Sequence, residues 1–260
     1  MYAMERQQLI EQLVEIEGRV AVVDLARRFG VTTETVRRDL GQLESAGLLR
    51  RVHGGAVAPA RTSTAEAPLS ERSHRRSEAK LAIAARALDA IGADEGGSVY
   101  LDAGTTTAAL ARLLVQRHAA TRPIEVVTHS MTIAHILAGA PGLGLTAVGG
   151  RVRTLTAAAV GAQTVGAISR LRPDLAFIGT NGVSASLGLS TPDPDEAAVK
   201  RAIIAAARRT IVLADAEKFD AELLVSFAAP DDFDVLVTDA APAGALAEAL
   251  DAAEVEVWIA

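Results

Sequence analysis

The sequence has no cysteine among its 260 residues, and this absence excludes disulfide bonds and metal sites built from thiolates. It also has no uncharged apolar run of roughly 18 residues or more, the length that a helix needs to cross a bilayer. Acidic residues lie close to the N-terminus, where a secretory signal peptide would be basic and then apolar. We therefore expect a cytoplasmic protein that has no membrane partner.

Positive charge is scarce, and its distribution is uneven. The formal net charge is −6, from 26 lysines and arginines against 32 aspartates and glutamates, which argues against a generally basic nucleic-acid binder. Residues 1–57 carry eight arginines and eight carboxylates and are therefore neutral. Their basic footprint is limited to Arg37, Arg38, Arg50 and Arg51. If this segment binds DNA, two or more copies must bind together.

Lysine is rare: of the 26 basic residues, three are lysines, namely Lys80, Lys200 and Lys218. A chain that otherwise uses arginine can reserve lysine for a compact, mobile ammonium at a phosphate or carboxylate site. Lys200 follows Glu196 by four residues, so a surface ion pair worth a few tenths of a kcal/mol is the alternative. We favour a ligand site for Lys200 and for Lys218, and both explanations stay open for Lys80.

The chain is long enough for two domains. Residues 58–70 contain Pro59, Pro68 and small polar side chains, which are typical of a linker. We therefore predict a first domain over residues 1–57 and a second over residues 71–260.

The first domain is organised around a short helix over residues 31–47, VTTETVRRDLGQLESAG. Thr32 is a favourable N-cap, and Gly47 is a favourable stop. An apolar stripe recurs at i, i+4 and i+7 and consists of Val36, Leu40 and Leu43. Off this stripe lie hydroxyl and guanidinium groups that suit phosphates and base edges, namely Thr33, Thr35, Arg37 and Arg38. Taken alone, the pattern also fits an ordinary solvent-exposed helix.

Residues 48–57, LLRRVHGGAV, predict a small hairpin that turns at Gly54 and Gly55. The hairpin would carry further DNA contacts beside the helix, from Arg50, Arg51 and His53. Two helical patterns precede residue 31, so the predicted order is helix, helix, turn, helix and hairpin. This order is that of a winged helix-turn-helix DNA-binding domain.

The second domain alternates apolar, β-branched runs with alanine-rich helical patterns. The predicted strands cover residues 98–101, 124–127, 143–148, 175–178, 210–213, 235–237 and 255–259. The predicted helices include residues 106–117, 131–137, 196–208 and 243–252. Such alternation indicates βαβ units and an α/β fold with a parallel sheet covered on both faces. Ligands in these folds bind at the carboxyl ends of the strands.

Polar residues and glycines follow four successive strands of this predicted sheet. The candidate effector ligands at the first three strand ends are Asp102, Gly104, Thr105, Thr106, Thr107, Thr128, His129, Ser130, Gly149, Gly150 and Arg151. The fourth strand ends in Gly-Thr-Asn-Gly at residues 179–182. Four such ends at one edge predict a polar pocket in which a helix N-terminus binds an anion. Simple helix capping explains any single turn, and Asp102 suits either a sugar hydroxyl or a brace for its loop.

Residues 18–57 contain a pair of arginines followed by Asp-Leu and, in the hairpin, the sequence Arg-x-His-Gly-Gly-Ala. These motifs resemble the DNA-binding segment of the DeoR family of bacterial transcriptional regulators. The resemblance implies contacts to bases and phosphates from Thr33, Thr35, Arg37 and Arg38.

The second domain carries further motifs along nearly its whole length: Asp102-x-Gly-Thr-Thr, Thr128-x-Ser130, Gly149-Gly150-Arg151, Asp174-x-x-Phe177, Glu196-x-x-x-Lys200 and Asp215-x-x-Lys218. They are similar to the DeoR-family sensor domain, which looks like the ribose-5-phosphate isomerase, glucosamine-6-phosphate deaminase and CoA-transferase group of folds. The resemblance implies a Rossmann-like parallel sheet that senses a phosphorylated sugar or a related metabolite. His129 departs from the family, which commonly has asparagine there.

These patterns predict a transcriptional regulator, in the family's usual mode a repressor of a sugar or carbohydrate operon that a phosphorylated sugar-like effector releases. Its expected partners are double-stranded operator DNA and further copies of the chain, in a dimer or larger homo-oligomer. The alternative is an enzyme similar to sugar-phosphate isomerases or deaminases, fused to a DNA-binding module. We expect no enzymatic activity, because no defined nucleophile or acid–base pair can be recognised from the spacing of the residues. We also expect no cofactor. No metal is expected, since His129 and His135 lack the i, i+4 spacing of helical metal ligands.

Overall fold

The computed structural model describes residues 3–17, 19–46, 48–52, 54–57, 62–92, 97–117 and 123–260. The chain forms two compact units, residues 1–62 and residues 63–260. Residues 63–70, which composition assigns to the linker, thus belong to the second unit, whereas residues 58–61 lie outside the described residues. Within the described ranges, no helix is both long enough and apolar enough to cross a membrane.

Three helices and three short strands make up the described part of the first unit. In chain order they are α1 (Ala3–Glu17), β1 (Arg19–Ala21), α2 (Val22–Phe29), α3 (Thr33–Ser45), β2 (Arg50–Val52) and β3 (Gly55–Val57). Strand β3 lies between β1 and β2 and pairs antiparallel with both. This arrangement is a helix-turn-helix followed by a wing, as the sequence predicts.

Helix α3 begins and packs as its sequence predicts. The Thr32 hydroxyl accepts a hydrogen bond from the backbone amide three residues on, at 3.2 Å, and so satisfies one N–H group of the first turn. The helix ends at Ser45, and Gly47 lies outside the described residues. Its buried face is made of side chains that are 0–5 % exposed, namely Val36, Leu40 and Leu43.

The wing departs from the sequence prediction at one of its two glycines. Gly54 has φ +79°, a left-handed conformation that favours glycine, and lies in the turn. Gly55 lies in β3 instead of the turn and pairs with Val52. A Cβ atom at Gly55 would stand 2.0 Å from the carbonyl oxygen of Val20, so glycine lets β3 approach β1 closely. His53 lies outside the described residues.

A buried ion pair ties α3 to α1. The guanidinium of Arg6 donates to both carboxylate oxygens of Asp39, over 2.6 and 3.1 Å, and Gln7 adds a further bond at 3.1 Å. The Arg6 and Asp39 side chains are 8 % and 4 % exposed. The hydrogen bond to Asp39 raises the pKa of Arg6, which therefore stays charged. Removing one member leaves the other charge buried without this partner.

We expect Asp39→Ala to lower the free energy of unfolding of the first unit by about 3 kcal/mol or more, because it removes the carboxylate that neutralises buried Arg6. Urea unfolding followed by circular dichroism measures this loss. The control is Asp24→Ala, since the Asp24–Arg27 pair is 3.9 Å apart with side chains 72–80 % exposed. A loss no larger than the control's would contradict the role of the Arg6–Asp39 pair.

The second unit contains the remaining helices and strands of the described chain. They are α4 (Leu69–His74), α5 (Ser77–Leu88), β4 (Gly97–Leu101), α6 (Thr105–Arg117), β5 (Ile124–Thr128), α7 (Met131–Leu137), β6 (Leu143–Ala147), β7 (Arg151–Arg153), β8 (Ala158–Val160), α8 (Ala162–Ile168), β9 (Leu175–Gly179), β10 (Gly182–Ser184), β11 (Gly188–Thr191), α9 (Pro194–Ala206), β12 (Arg209–Leu213), β13 (Val225–Ala228), β14 (Val235–Thr238), α10 (Gly244–Ala252) and β15 (Glu256–Ile259). Short 3₁₀ helices cover Ala216–Lys218 and Pro230–Asp232.

A parallel sheet of seven strands runs through the described part of this unit in the order β15-β14-β12-β9-β4-β5-β6. These strands correspond to the predicted ones, so the predicted α/β fold is confirmed. Side chains alternate between the two faces: Val99 and Leu101 pack in one core, and Tyr100 packs in the other. Helices α5, α6 and α7 cover the first face, and α8, α9 and α10 cover the second.

Two smaller antiparallel sheets in the described chain are not predicted by the sequence pattern. Strands β7 and β8 form a hairpin, and β10, β11 and β13 form a three-stranded sheet. Each of these strands has three or four residues, which is too few for alternation of apolar and polar side chains to be recognised.

Candidate functional site

Helix α3 presents a face with hydroxyl and arginine side chains in the first unit. Thr33, Arg37 and Arg38 are exposed, and Thr35 is half-buried. Arg37 lies 3.8 Å from Glu34, but both side chains are 60–75 % exposed, so water screens the pair. Because these arginines face solvent, they can reach the phosphates and base edges of a docked duplex.

Two acidic residues of α3, Asp39 and Glu44, have hydrogen-bond partners on other elements of the unit. Asp39 points into the unit, where a buried salt bridge holds it. Glu44 accepts a hydrogen bond from the backbone amide of Arg51 at 2.9 Å, which links α3 to the wing. The Arg51 side chain is exposed. The side chain of Arg50, like His53, lies outside what the structure describes, so their DNA contacts stay predictions.

A cleft lies at the carboxyl ends of the parallel strands in the second unit. Its described lining comprises Leu69, Arg72, Ala103, Gly104, Thr105, Thr106, Thr107, Thr156, Gly179, Thr180, Asn181, Glu196, Lys200 and Lys218. The structure thus brings together six of the predicted ligands, namely Gly104, Thr105, Thr106, Thr107, Lys200 and Lys218. Leu69, Arg72 and Thr156 also line the cleft but are not predicted as ligands from the sequence, because they do not follow a predicted strand.

The loop after β4 delivers the N-terminus of α6 to the cleft. The carbonyl oxygen of Gly104 accepts bonds from the Thr107 hydroxyl and from the amide of Ala108, both at 3.1 Å, and so closes the first turn. The earlier amides of a helix have no acceptor within it, and the helix dipole places partial positive charge at the same end. Thr105 and Thr106 belong to this turn, which therefore suits a bound anion.

Asp102 and Lys200 form a buried pair at the cleft. One carboxylate oxygen of Asp102 accepts hydrogen bonds from the Lys200 ammonium and from the amide of Gly179, the latter at 2.9 Å. Lys200 also donates to the carbonyl oxygen of Gly179 at 2.8 Å and lies 5.4 Å from the centre of the Phe227 ring. Lys200 is therefore an internal partner of Asp102 and not one half of a surface pair with Glu196. The geometry also favours Asp102 as a brace for its loop.

His129 is buried beside Asp102 and is neutral. Its Nδ1 atom lies 3.0 Å from the Tyr100 hydroxyl, and its Nε2 atom lies 3.7 Å from Asp102. Burial lowers the pKa of His129 to about 4, which the charge of Asp102 partly opposes. The nearby carboxylate favours a proton on Nε2, so the Tyr100 hydroxyl donates to Nδ1. Among the described residues, no cluster of three or more His, Asp or Glu side chains could hold a metal ion.

Thr128 and Ser130 support the strand ends from inside the unit. The Thr128 hydroxyl donates to the carbonyl oxygen of Leu101 at 2.7 Å and accepts from the amide of Ser130 at 3.1 Å. Ser130 caps α7 by accepting from the amide of Ile133 at 3.3 Å. Thr128, His129 and Ser130 are 0–2 % exposed. The hydrogen bonds of Thr128 and Ser130 hold the sheet edge together, and contact of these three residues with an effector stays a prediction.

The third strand end, Gly149-Gly150-Arg151, leads into the hairpin of β7 and β8. The Thr164 hydroxyl donates to the carbonyl oxygen of Gly149 at 3.0 Å, and a Cβ atom at Gly150 would stand 2.0 Å from that hydroxyl. Arg151 is 64 % exposed and pairs with Asp195. Close packing against Thr164 therefore explains why residue 150 is a glycine. The side chain of Arg151 forms an ion pair at the surface. These three residues are not part of the described cleft lining, and their contact with an effector stays a prediction.

Glu196 is a buried carboxylate in the cleft wall. It accepts hydrogen bonds from the Thr156 hydroxyl at 2.5 Å and from Arg153 at 3.1 Å. Its backbone amide donates to the side chain of Asp193, the N-cap of α9, at 2.9 Å. Burial raises the pKa of Glu196, while Lys200 and the Thr156 hydroxyl act in the opposite direction.

Lys218 and Lys80 have different positions in the unit. Lys218 is part of the cleft wall, half-buried, with its ammonium 3.4 Å from Asp215. Burial lowers the pKa of Lys218; Asp215 opposes this effect, and Arg72 adds to it. Lys80 is buried and donates to the backbone carbonyl oxygens of Arg72 and Arg75 at the end of α4. The ammonium of Lys80 thus satisfies backbone carbonyl groups at the end of α4.

Both units are similar to known protein domains. Residues 6–62 match the DeoR-like helix-turn-helix domain, and residues 75–240 match the DeoR C terminal sensor domain. The chain is 36 % identical over 240 residues to the uncharacterized HTH-type transcriptional regulator FruR of Bacillus subtilis, with 92 % of each chain covered. It is 30 % identical over 242 residues to the glycerol-3-phosphate regulon repressor of Escherichia coli, with 93 % of each covered. The chain belongs to the DeoR family.

Membership of the DeoR family confirms the resemblance that the arginine pair and the strand-end motifs indicate. The predicted class, a DNA-binding transcriptional regulator with a separate sensor domain, is confirmed with it. Among solved structures, ribose 5-phosphate isomerase A of Methanocaldococcus jannaschii is similar over 55 % of this chain and 54 % of its own, at 18 % identity and a TM-score of 0.40. That similarity is too low to indicate a shared activity.

We expect the stability of this DeoR-family protein to fall as pH drops from about 6.5 to about 4, because His129 takes up a proton in the unfolded state before it does so in the folded state. Between pH 7.5 and pH 5 this residue should remove roughly 2 kcal/mol of unfolding free energy. Urea unfolding of the wild type and of His129→Asn at both pH values isolates the effect, since other groups titrate in both proteins. Equal losses in the two would contradict a buried, neutral His129.

Proposed function

We propose that the protein represses genes of sugar or carbohydrate metabolism and is released from its operator by a phosphorylated sugar or related metabolite. The observation that carries this proposal is the cleft, which joins the start of α6, Lys218 and Arg72 to hydroxyl and amide side chains. The helix start and the two cations suit a phosphate, and the hydroxyl and amide side chains suit the hydroxyl groups of a sugar. Such a role places the protein in the cytoplasm with the DNA that it regulates.

The DNA-binding face supports action as a dimer or larger homo-oligomer. Arg37, Arg38 and Arg51 are its described exposed arginines on α3 and the wing. They belong to a segment, residues 1–57, whose eight arginines and eight carboxylates sum to zero. A second copy doubles the phosphate contacts and reads a second half-site, which gives specific binding from a small basic surface.

The effector is proposed to place its phosphate against the first turn of α6 and Lys218. Asn181, Thr180 and the carboxylate of Glu196 line the same cleft and offer partners for hydroxyl groups. A small phosphorylated polyol or sugar combines both chemical features. The name of one relative, a glycerol-3-phosphate regulon repressor, supports this class of ligand.

The same site supports binding without turnover. General acid–base catalysis needs a carboxylate or amine that can exchange a proton with the ligand. Asp102 is held by Lys200 and by the amide of Gly179. Glu196 is held by Arg153 and Thr156. Because Lys200 pairs with one oxygen of Asp102 and Arg153 with one oxygen of Glu196, both carboxylates are held as ion-paired groups, and we propose a sensor in preference to the isomerase-like or deaminase-like alternative.

We expect Arg37→Ala and Arg38→Ala each to weaken operator binding by roughly tenfold or more, because each removes charge-assisted bonds to phosphates or bases. Genome fragments that the wild-type protein retains supply the operator, and fluorescence anisotropy at one salt concentration measures affinity. Arg170→Ala removes an exposed arginine of the second unit and serves as the control. Unchanged operator binding by both test variants would contradict the prediction that α3 lies in the DNA interface.

We expect Lys218→Gln to raise the effector concentration needed for operator release by roughly tenfold or more, because a cation of the cleft wall is lost. Lys200→Gln should instead lower the free energy of unfolding by about 3 kcal/mol or more, since it leaves Asp102 buried without its charge partner. Effector titration of the operator complex and thermal denaturation separate the two effects. A wild-type effector response in Lys218→Gln would contradict its role.

A further inference from the structure

The residues that enter the second unit lie along the ligand cleft. We call residues 63–74 the strap. The amide of Leu69 donates to the carbonyl oxygen of Leu155 at 3.2 Å, so the strap is hydrogen-bonded to the body of the unit. Leu69 and Arg72 are also part of the cleft lining. In sequence the strap directly follows the DNA-binding unit, so a ligand in the cleft can contact the first residues of the second unit.

Glu66 holds the strap through a buried carboxylate. Its side chain is 2 % exposed, and its two oxygens accept hydrogen bonds from Arg72 and from Arg153, each at 2.7 Å. Arg153 has further acidic partners in Asp193 at 3.0 Å and Glu196 at 3.1 Å. Loss of the Glu66 charge therefore leaves Arg153 neutralised, whereas it frees the guanidinium of Arg72 in the cleft.

Arg72 belongs to a group of cations that repel one another. Lys218 stands in the same cleft wall, and the ammonium of Lys80 donates to the carbonyl oxygen of Arg72. Burial lowers the pKa of Lys80 to about 8; the charges of Lys218 and Arg72 add to this, and Asp215 opposes it. Like charges that converge on an open cleft are stabilised by a bound anion. The carboxylate of Glu66 neutralises part of this positive charge through its ion pair with Arg72.

We infer that Arg72 changes partner when the effector binds, and that an anion in the cleft replaces Glu66 at its guanidinium. This inference rests on the proposed function and adds its regulation. Arginine binds phosphate and carboxylate with the same planar fork of donors, so the exchange keeps the guanidinium satisfied while one of the two ion pairs of Glu66 is lost. The strap then has two states that the effector distinguishes, as coupling to the DNA-binding unit requires.

Isothermal titration of the full-length protein with inorganic phosphate, at constant ionic strength, tests this exchange. Arg72→Ala should raise the Kd for phosphate by roughly tenfold or more, because a charge-assisted contact is lost. Glu66→Gln should lower that Kd by roughly threefold or more, because the competing carboxylate is gone. Arg75→Ala removes a neighbouring guanidinium that pairs with Glu71, and this matched control should stay within about twofold of the wild type.

The opposite signs of these two variants distinguish an exchange of partners from a structural pair. If both variants bind phosphate more weakly, Glu66 and Arg72 only build the strap, and the inference is overturned. Unchanged affinity in Arg72→Ala also overturns it but leaves the proposed function standing. If the wild type binds neither phosphate nor any phosphorylated sugar, both are overturned. Amide hydrogen exchange adds a second readout: phosphate should speed exchange in residues 63–74 of the wild type and not of Arg72→Ala.

Discussion

The buried pair of Asp102 and Lys200 holds together the edge of the sheet on which the cleft is built. It joins the end of β4 to α9, and through the amide and carbonyl groups of Gly179 it also fixes the end of β9. Two charges can be buried in this way because each neutralises the other and finds further hydrogen bonds. Helix α6 begins three residues after Asp102, so the position of its first turn depends on the same pair.

Much of the fold follows from local patterns in the chain. A parallel sheet covered on both faces needs strands that are apolar throughout, and such runs are recognisable without knowledge of their partners. The apolar stripe and cap of α3 are equally local, since Thr32 bonds within its own first turn. The scarcity of lysine also helped to locate the cleft, because Lys200 and Lys218 both line it. The strands and the start of α3 can be predicted because they depend on residues that are close in sequence.

The remaining features depend on partners that are distant in sequence. Asp39 directly follows the exposed arginines of α3 in sequence, yet it is buried because Arg6, 33 residues away, neutralises it. Residues 63–70 have the composition of a linker, but Glu66 draws them onto the second unit by pairing with Arg153, 87 residues away. At the strand ends, sequence position predicts His129 as a ligand contact, but it does not show that this side chain is buried beside Tyr100 and Asp102. The composition of a segment indicates whether it is generally polar or apolar. Whether one charged side chain is exposed or buried depends on whether the fold supplies a partner of opposite charge.

One direct measurement tests the proposed control of DNA binding through the cleft. The operator-bound protein is titrated with phosphorylated sugars and polyols, glycerol 3-phosphate among them, and in parallel with their unphosphorylated forms, while fluorescence anisotropy follows release. Because the first turn of α6, Lys218 and Arg72 favour a phosphate, at least one phosphorylated compound should release the operator at concentrations where its unphosphorylated form has no effect. Equal action of both forms, or no release by any phosphorylated compound, would contradict phosphate sensing by this cleft.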